Sequence, residues 1–298
     1  MATAVGVIRQ TSTQRRQRAW LRARKKLLIV LAYVVVVIVS ALYLFPWVWL
    51  ALTSVKTPQQ IVEIPPRWLP DPVQLRNYVD AVTAIRFFLY LRNTLIISFV
   101  NVIGNAISCS LVAYSLSHID WPLREPLFGI ILATMMVPFQ VTVIPLYIIF
   151  TRLGWVNTML PLTLPSFFGS AFFIFLLRQF FLTIPKELTD AARLDGCSSF
   201  GIYRLIVMPL AKPAMATLIA FTFIWTYNDF QGPLIYLIDS KLWTLALGLR
   251  GFANQYGDVT TFLGAMMAAA TLYTLPMIIL FFAAQRTLIQ GIVTTGFK

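Results

Sequence analysis

Five stretches of at least 25 residues carry no charged side chain: Leu27 to Val55, Asn93 to Ser117, Pro126 to Thr151, Leu153 to Leu177 and Val259 to Gln285. A sixth, Pro213 to Ile238, has one, Asp229. A helix needs about 20 apolar residues to cross a hydrocarbon core of about 30 Å. Each stretch is long enough, so the chain is expected to be an all-α polytopic membrane protein with six spanning helices. Arg152 and a turn around Gly154 alone separate the third stretch from the fourth, which predicts a helical hairpin there. Only 12% of the 298 residues are charged, about half the share in a soluble domain. The first run follows a basic segment but exceeds a signal-peptide core and lacks a small-x-small cleavage site. It reads as an uncleaved span.

The formal charge of +13 raises the question of nucleic acid. Its distribution points instead to a membrane. Arg9, Arg15, Arg16, Arg18, Arg22, Arg24, Lys25 and Lys26 crowd the front of the first span. Short cytoplasmic segments collect Lys and Arg, so this end is placed inside, where it also suits anionic lipid headgroups. Alternation over six spans puts both termini in the cytoplasm, with sixteen basic residues inside against eight outside. Residues 1–26 read as a flexible basic tail that merges into an interfacial helix, and residues 27–298 as the six-helix transmembrane domain.

The first outside loop, Lys56 to Arg92, contains "EIPPRWLPDP", which predicts extended backbone near Pro65 to Pro72. The stretch after it looks helical and amphipathic. His118, the single histidine, reads as an interfacial turn residue. Cys109 and Cys197 read as unpaired. Pro138 and Pro145 in the third span, and Pro161 and Pro165 in the fourth, predict kinks. In the fifth span Asn228 and Asp229 fall past the midpoint, toward the outside. An ionisable residue in a span is costly unless it pairs or meets water. Asp229 therefore lines a polar path, with Trp225, Tyr227, Asn228 and Gln231 as neighbours, makes a structural hydrogen bond, or sits at the interface. Asp239 to Asp258 forms a second sizeable outside loop.

Several chemistries are missing. No Gly precedes a Lys, so the chain has no phosphate cradle of the G-x-x-x-x-G-K type. It has no metal-spaced His/Cys/carboxylate cluster and no nucleophile matched to a base. No catalytic, metal or cofactor role is expected. Energy for uphill movement has to come from an ion gradient or from another subunit.

One polar segment stands out, residues 183–210. Pro185 suits a first helical turn, and Glu187 complements the helix dipole there. "KELTDAARL" reads as a short helix whose Ala191 and Ala192 permit close approach. Gly196 is placed to end it in a left-handed cap, and Ser198 or Ser199 to cap the next helix. Pro209 interrupts that second helix. The unit is either an amphipathic connector lying on the membrane or a docking element for a cytoplasmic partner.

The segment resembles the cytoplasmic signature of permease subunits of ATP-binding-cassette importers: E-A-A, three residues, G, nine residues, I-x-L-P. Here it is Asp190-Ala191-Ala192, Gly196 and Ile206-Val207-Met208-Pro209. Asp190 replaces the usual Glu and Met208 the usual Leu; Glu187 stands nearby to share the polar contact. "MMVPFQVTVIPLYIIF", "FIFLLRQFFLTIPKEL", "YNDFQGPLIYL" and "QRTLIQGIVTTGFK" extend the resemblance to nearly the whole chain, in the sugar-importer branch of the maltose-transporter type. Such permeases usually carry Trp where Tyr227 stands.

The resemblance implies a bacterial or archaeal plasma-membrane permease subunit that imports a carbohydrate or polyol by alternating access. It implies as partners a second permease, two ATPase subunits that hold ATP and magnesium, and an extracytoplasmic binding protein. Glu187, Asp190, Ala191, Ala192, Gly196, Ile206, Met208 and Pro209 would couple to one ATPase. The tail Gly296, Phe297 and Lys298 would reach the ATPase dimer, and the Asp239 to Asp258 loop would face the binding protein. The alternative is an ion-gradient-driven secondary transporter.

Overall fold

The structure, a computed structural model, describes residues 2–255 and 259–296. It is built on α-helices, four of them long and apolar enough to span a membrane: Ala23–Thr53, Phe87–His118, Leu160–Phe181 and Phe262–Gln285. Two bent pairs, Arg124–Thr134 with Phe139–Arg152 and Ser199–Leu210 with Lys212–Tyr227, bring the number to six when each is one span.

Helix α1 (Ala2–Thr53) is continuous, so no break marks the expected boundary at residue 26, and the segment expected as a flexible tail is helical. Short α2 (Pro58–Val62) and α3 (Arg76–Ala84) shape the following loop. Thr57 and Gln60 form a capping box on α2, satisfying two amides that a helix start leaves without partners. The Lys56 side chain, 2% exposed, donates to the Arg67 carbonyl at 2.6 Å and lies 4.2 Å from the Trp49 ring centroid. The loop is thereby tied to the end of α1.

Helix α4 (Phe87–His118) is the spine. It packs on α8 (Ala171–Phe181), on α12 (Lys212–Tyr227) and on the broken segment of α7 (Leu160–Thr163) and the 3-10 turn Leu164–Phe168. Lipid tails are as apolar as side chains, so close packing and interhelical hydrogen bonds hold such helices together, at about 1 kcal/mol per bond. Gly104 allows a close approach: a Cβ there would collide with Ser166 and Phe167. Pro165 and the 3-10 turn interrupt the α-helical hydrogen bonding of the segment. Asn101 Nδ2 donates to the Leu162 carbonyl at 2.8 Å, and Ser108 Oγ to the Ser166 carbonyl at 3.0 Å. Side chains of α4 thus serve carbonyls of the irregular stretch, which lipid would leave bare.

The hairpin expected from the third and fourth runs is not formed as such. The third run breaks into α5 (Arg124–Thr134) and α6 (Phe139–Arg152), bent by 97°. Pro138 drives the break: it disfavours helix at Val137 and restarts the chain as the cap of α6. The fourth run begins as a connection, with left-handed Gly154 (φ 69°) and Asn157 (φ 62°), and its helix starts only at Leu160. The fifth run ends as a helix at Tyr227 and continues in α13 (Gln231–Tyr236). Helix α14 (Leu245–Gln255) and long α15 (Val259–Gly296) complete the fold, with α15 against α1, α3 and α12.

Two apolar clusters sit at opposite ends of α4. One gathers Tyr114, Leu116, Phe173, Leu177, Phe181, Ile202 and Leu218. The other joins Ala81, Phe87 and Tyr90 to Leu245, Ala265 and Ala268. Both cysteines are free.

Candidate functional site

The polar segment of residues 183–210 folds as helix α9 (Lys186–Leu194), a turn, α10 (Ser199–Ile202), one π turn (Tyr203–Val207) and α11 (Met208–Leu210). Gly196, at φ 80°, ends α9. The Gly196 amide donates to the Arg193 carbonyl and the Cys197 amide to the Ala192 carbonyl at 2.9 Å, so the left-handed cap forms as expected. Ser198, rather than Ser199, caps α10 by accepting from the Gly201 amide at 3.2 Å. The chain then turns 79° into α12.

One stripe of α4 holds this unit. Ser110 Oγ and Tyr203 Oη lie 2.8 Å apart, Tyr114 Oη donates to the Ser199 carbonyl at 2.9 Å, and Arg193 donates to the His118 carbonyl at 2.7 Å. Positions 110, 114 and 118 recur every four residues and so share one helix face. Nothing in the apolar pattern marks them; polar residues recurring at that interval in a charge-free run are the signal that finds them. Nearby, the Arg178 guanidinium, with only 9% of its side chain exposed, donates to Glu125 at 2.7 Å and to the Leu116 carbonyl at 3.1 Å, and lies over Phe128. This ties the end of α4 and the first turn of α5 to α8.

Of the residues singled out in the segment, Glu187, Asp190, Ala191, Gly196 and Pro209 are exposed. Asp190 pairs with Arg193 at 3.1 Å. Ala192, Ile206 and Met208 pack instead against the apolar cluster under the unit. Thr189 is the buried contact of α9, while Leu194 stands 89% exposed. The outward face of α9 is therefore short, with the small Ala191, acidic and basic side chains, and two exposed leucines, Leu188 and the barer Leu194. Gly296 is the last residue of α15; Phe297 and Lys298 lie outside the described residues, as do residues 256–258 of the second outside loop.

A cavity of about 600 Å³ opens between α4, α6, the α7 segment, α12 and α13. Trp225, Asp229 and Gln231 line it. Tyr227 and Asn228 do not. Tyr227 is two residues on from Trp225, which turns it to the far side of α12. Its hydroxyl donates to the Tyr273 carbonyl at 2.8 Å, and the Tyr273 hydroxyl lies 2.9 Å from Asn228 Oδ1. These two fasten α12 to α15. Asp229 Oδ1 accepts the Gly232 amide at 3.0 Å, which shapes the start of α13. The carboxylate thus both lines the cavity and makes a structural bond. Asn101, Gln140 and Thr226 add polar edges, and Phe139, Phe150 and Tyr236 add rings. Asn101 sits at the middle of α4. At the end away from α9, Asn157 Oδ1 accepts the Ile238 and Asp239 amides, and Asn93 donates to the Lys241 and Trp243 carbonyls.

The described residues thus form a helical bundle with helices long and apolar enough to span a membrane, a polar-edged cavity and a helix held out at one end. Residues 106–294 match the family described as "Binding-protein-dependent transport system inner membrane component". The sn-glycerol-3-phosphate transport system permease protein UgpE of Salmonella typhi is 32% identical over 272 residues, 89% of this chain and 96% of that one. UgpE of Brucella abortus (strain 2308) is 32% identical over 258 residues, 84% and 91% of the two chains. A solved chain of a bacterial ABC transporter involved in the import of the acidic polysaccharide alginate superposes with a TM-score of 0.79 at 21% identity, covering 88% of this chain and 97% of that one.

The chain belongs to the binding-protein-dependent transport system inner membrane component family. It is an inner-membrane permease subunit of such a system, and the ion-gradient alternative falls away.

Proposed function

We propose that this chain forms half of the translocation path of an ATP-driven importer that carries a carbohydrate or related polyol. A second, related permease forms the other half. Two ATPase subunits hold ATP and magnesium and perform the hydrolysis. An extracytoplasmic binding protein delivers the substrate at the end formed by Asn93, Asn157 and the loop that starts at Asp239. Helix α9 lies in a groove of one ATPase, with Asp190, Ala191 and Leu194 toward it and Glu187 sharing the polar contact.

The carrying observation is the way α9 is mounted. Its outward face is bare, yet Ser110, Tyr114 and the His118 carbonyl fix its unit to the spine. A displacement of α9 is therefore passed to α4 and, through the 79° turn, to α12 at the cavity wall. The tail residues Gly296, Phe297 and Lys298 contact the same ATPase pair. The positive-inside pattern supports a cytoplasmic α9.

Uptake by membrane vesicles that carry the whole system tests this. Collapse of proton and sodium gradients is expected to leave binding-protein-dependent uptake in place, and ATP depletion to abolish it. The opposite pair of results contradicts the proposal.

A further inference from the structure

Two of the proteins similar to this chain are named for anionic cargo, sn-glycerol 3-phosphate and an acidic polysaccharide. The cavity here has the opposite electrostatic character. Asp229 lines it, and among the described residues no Lys or Arg does. Asp229 belongs to none of the ion pairs among the described residues. Arg250 lies over the Phe230 ring, outside the cavity lining.

We infer that this permease passes an uncharged polyhydroxylated ligand, a neutral mono- or disaccharide, with Asp229 as a hydroxyl acceptor that disfavours anionic sugars. The inference rests on the carbohydrate reading above and narrows it. Two physical features carry it. First, an anion entering a site of low dielectric beside a carboxylate meets repulsion that no cation of this lining offsets. Second, the polar edges are those that hydroxyls satisfy. Asp229 accepts, while Asn101, Gln140 and Gln231 both donate and accept. Trp225, Phe150 and Tyr236 supply flat apolar faces of the kind that a sugar ring presents on its C–H side. A volume of about 600 Å³ lies within the range of small-molecule sites. Gly232 fits the same arrangement, because a Cβ there would come within 2.5 Å of Asp229 Oδ2. The glycine leaves the carboxylate room beside the α13 backbone.

The test uses the complete transporter with its binding protein in proteoliposomes and labelled probes of three kinds. Maltose, trehalose and glucose are neutral, glucosamine is cationic, and glucuronate and sn-glycerol 3-phosphate are anionic. A neutral probe is expected to be carried at least about tenfold faster than either anion, the scale of one hydrogen bond to a charged group. Asp229→Asn keeps an oxygen for the Gly232 amide while it removes the charge. It is expected to slow the neutral probe about tenfold and to narrow the gap to the anions, with normal amounts of assembled complex. Preferred uptake of an anion, or of glucosamine, overturns the inference and leaves the carbohydrate reading standing. An unchanged rate and ranking in both Asp229→Asn and Asp229→Ala overturns the role of Asp229. Uptake of none of the sugars overturns the carbohydrate reading and this inference with it.

Discussion

Arg178 and Arg76 show how differently two arginines of one chain work. Arg178 is almost wholly buried and serves a carboxylate, a carbonyl and a ring face. Arg76 has 83% of its side chain exposed and stands 3.7 Å from Asp80. Removing a buried multi-contact cation strands the Leu116 carbonyl and costs about 1–3 kcal/mol, whereas an exposed pair contributes close to nothing. Arg178→Ala is expected to lower the melting temperature of the detergent-solubilised protein clearly, and Arg76→Ala to leave it unchanged. Equal shifts would refute this ranking. Gly104 offers a second residue-level test. Gly104→Ala drives a methyl into Ser166 and Phe167, and overpacking of this kind costs about 1–3 kcal/mol; a loss of thermal stability is the readout.

At the scale of elements, the α9 unit was legible in the sequence to a large degree. A glycine at 196 and serines at 198 and 199 are local signals, because cap chemistry acts between near neighbours, and both caps form. The mounting of the unit on α4 was not legible. It depends on Ser110 and Tyr114, which lie some 85 to 93 residues away in sequence from their partners. The kink at Pro138 was expected from the proline itself, but its size, 97°, was not legible: a hydropathy pattern is blind to direction, since both arms of a bent run stay apolar. The same blindness joined α12 to α13 and placed Tyr227 beside Asp229, although α12 ends at Tyr227, whose hydroxyl reaches α15, while Asp229 in the break lines the cavity. Tyr114→Phe removes one anchor of the unit and nothing from its outward face. Assembly with the ATPase is expected to persist while binding-protein-stimulated hydrolysis falls about fivefold, the scale of one net hydrogen bond. Loss of assembly instead would show that the anchor serves folding and not transmission.

Across the whole molecule, one spine connects two ends. Helix α4 anchors the α9 unit at one end and, through Asn93, the Lys241–Trp243 segment at the other, with Asn101 at the cavity between them. Family membership and the six-span count rest on properties spread along the chain, and they were readable from composition and signature. The cavity was readable only in part, through Asp229 and its neighbours, because Gln140, Phe150 and Tyr236 converge from separate apolar runs. The central claim is that force enters at the bare face of α9 and leaves at the cavity. It is tested most directly by binding-protein-stimulated ATP hydrolysis in the reconstituted complex with Leu194→Glu, a change at a side chain that is 89% exposed and so harmless to the isolated fold. The account predicts an intact, stable permease that loses the ATPase or its stimulation. Full stimulation and uptake in this variant, and in Asp190→Lys beside it, would contradict the account.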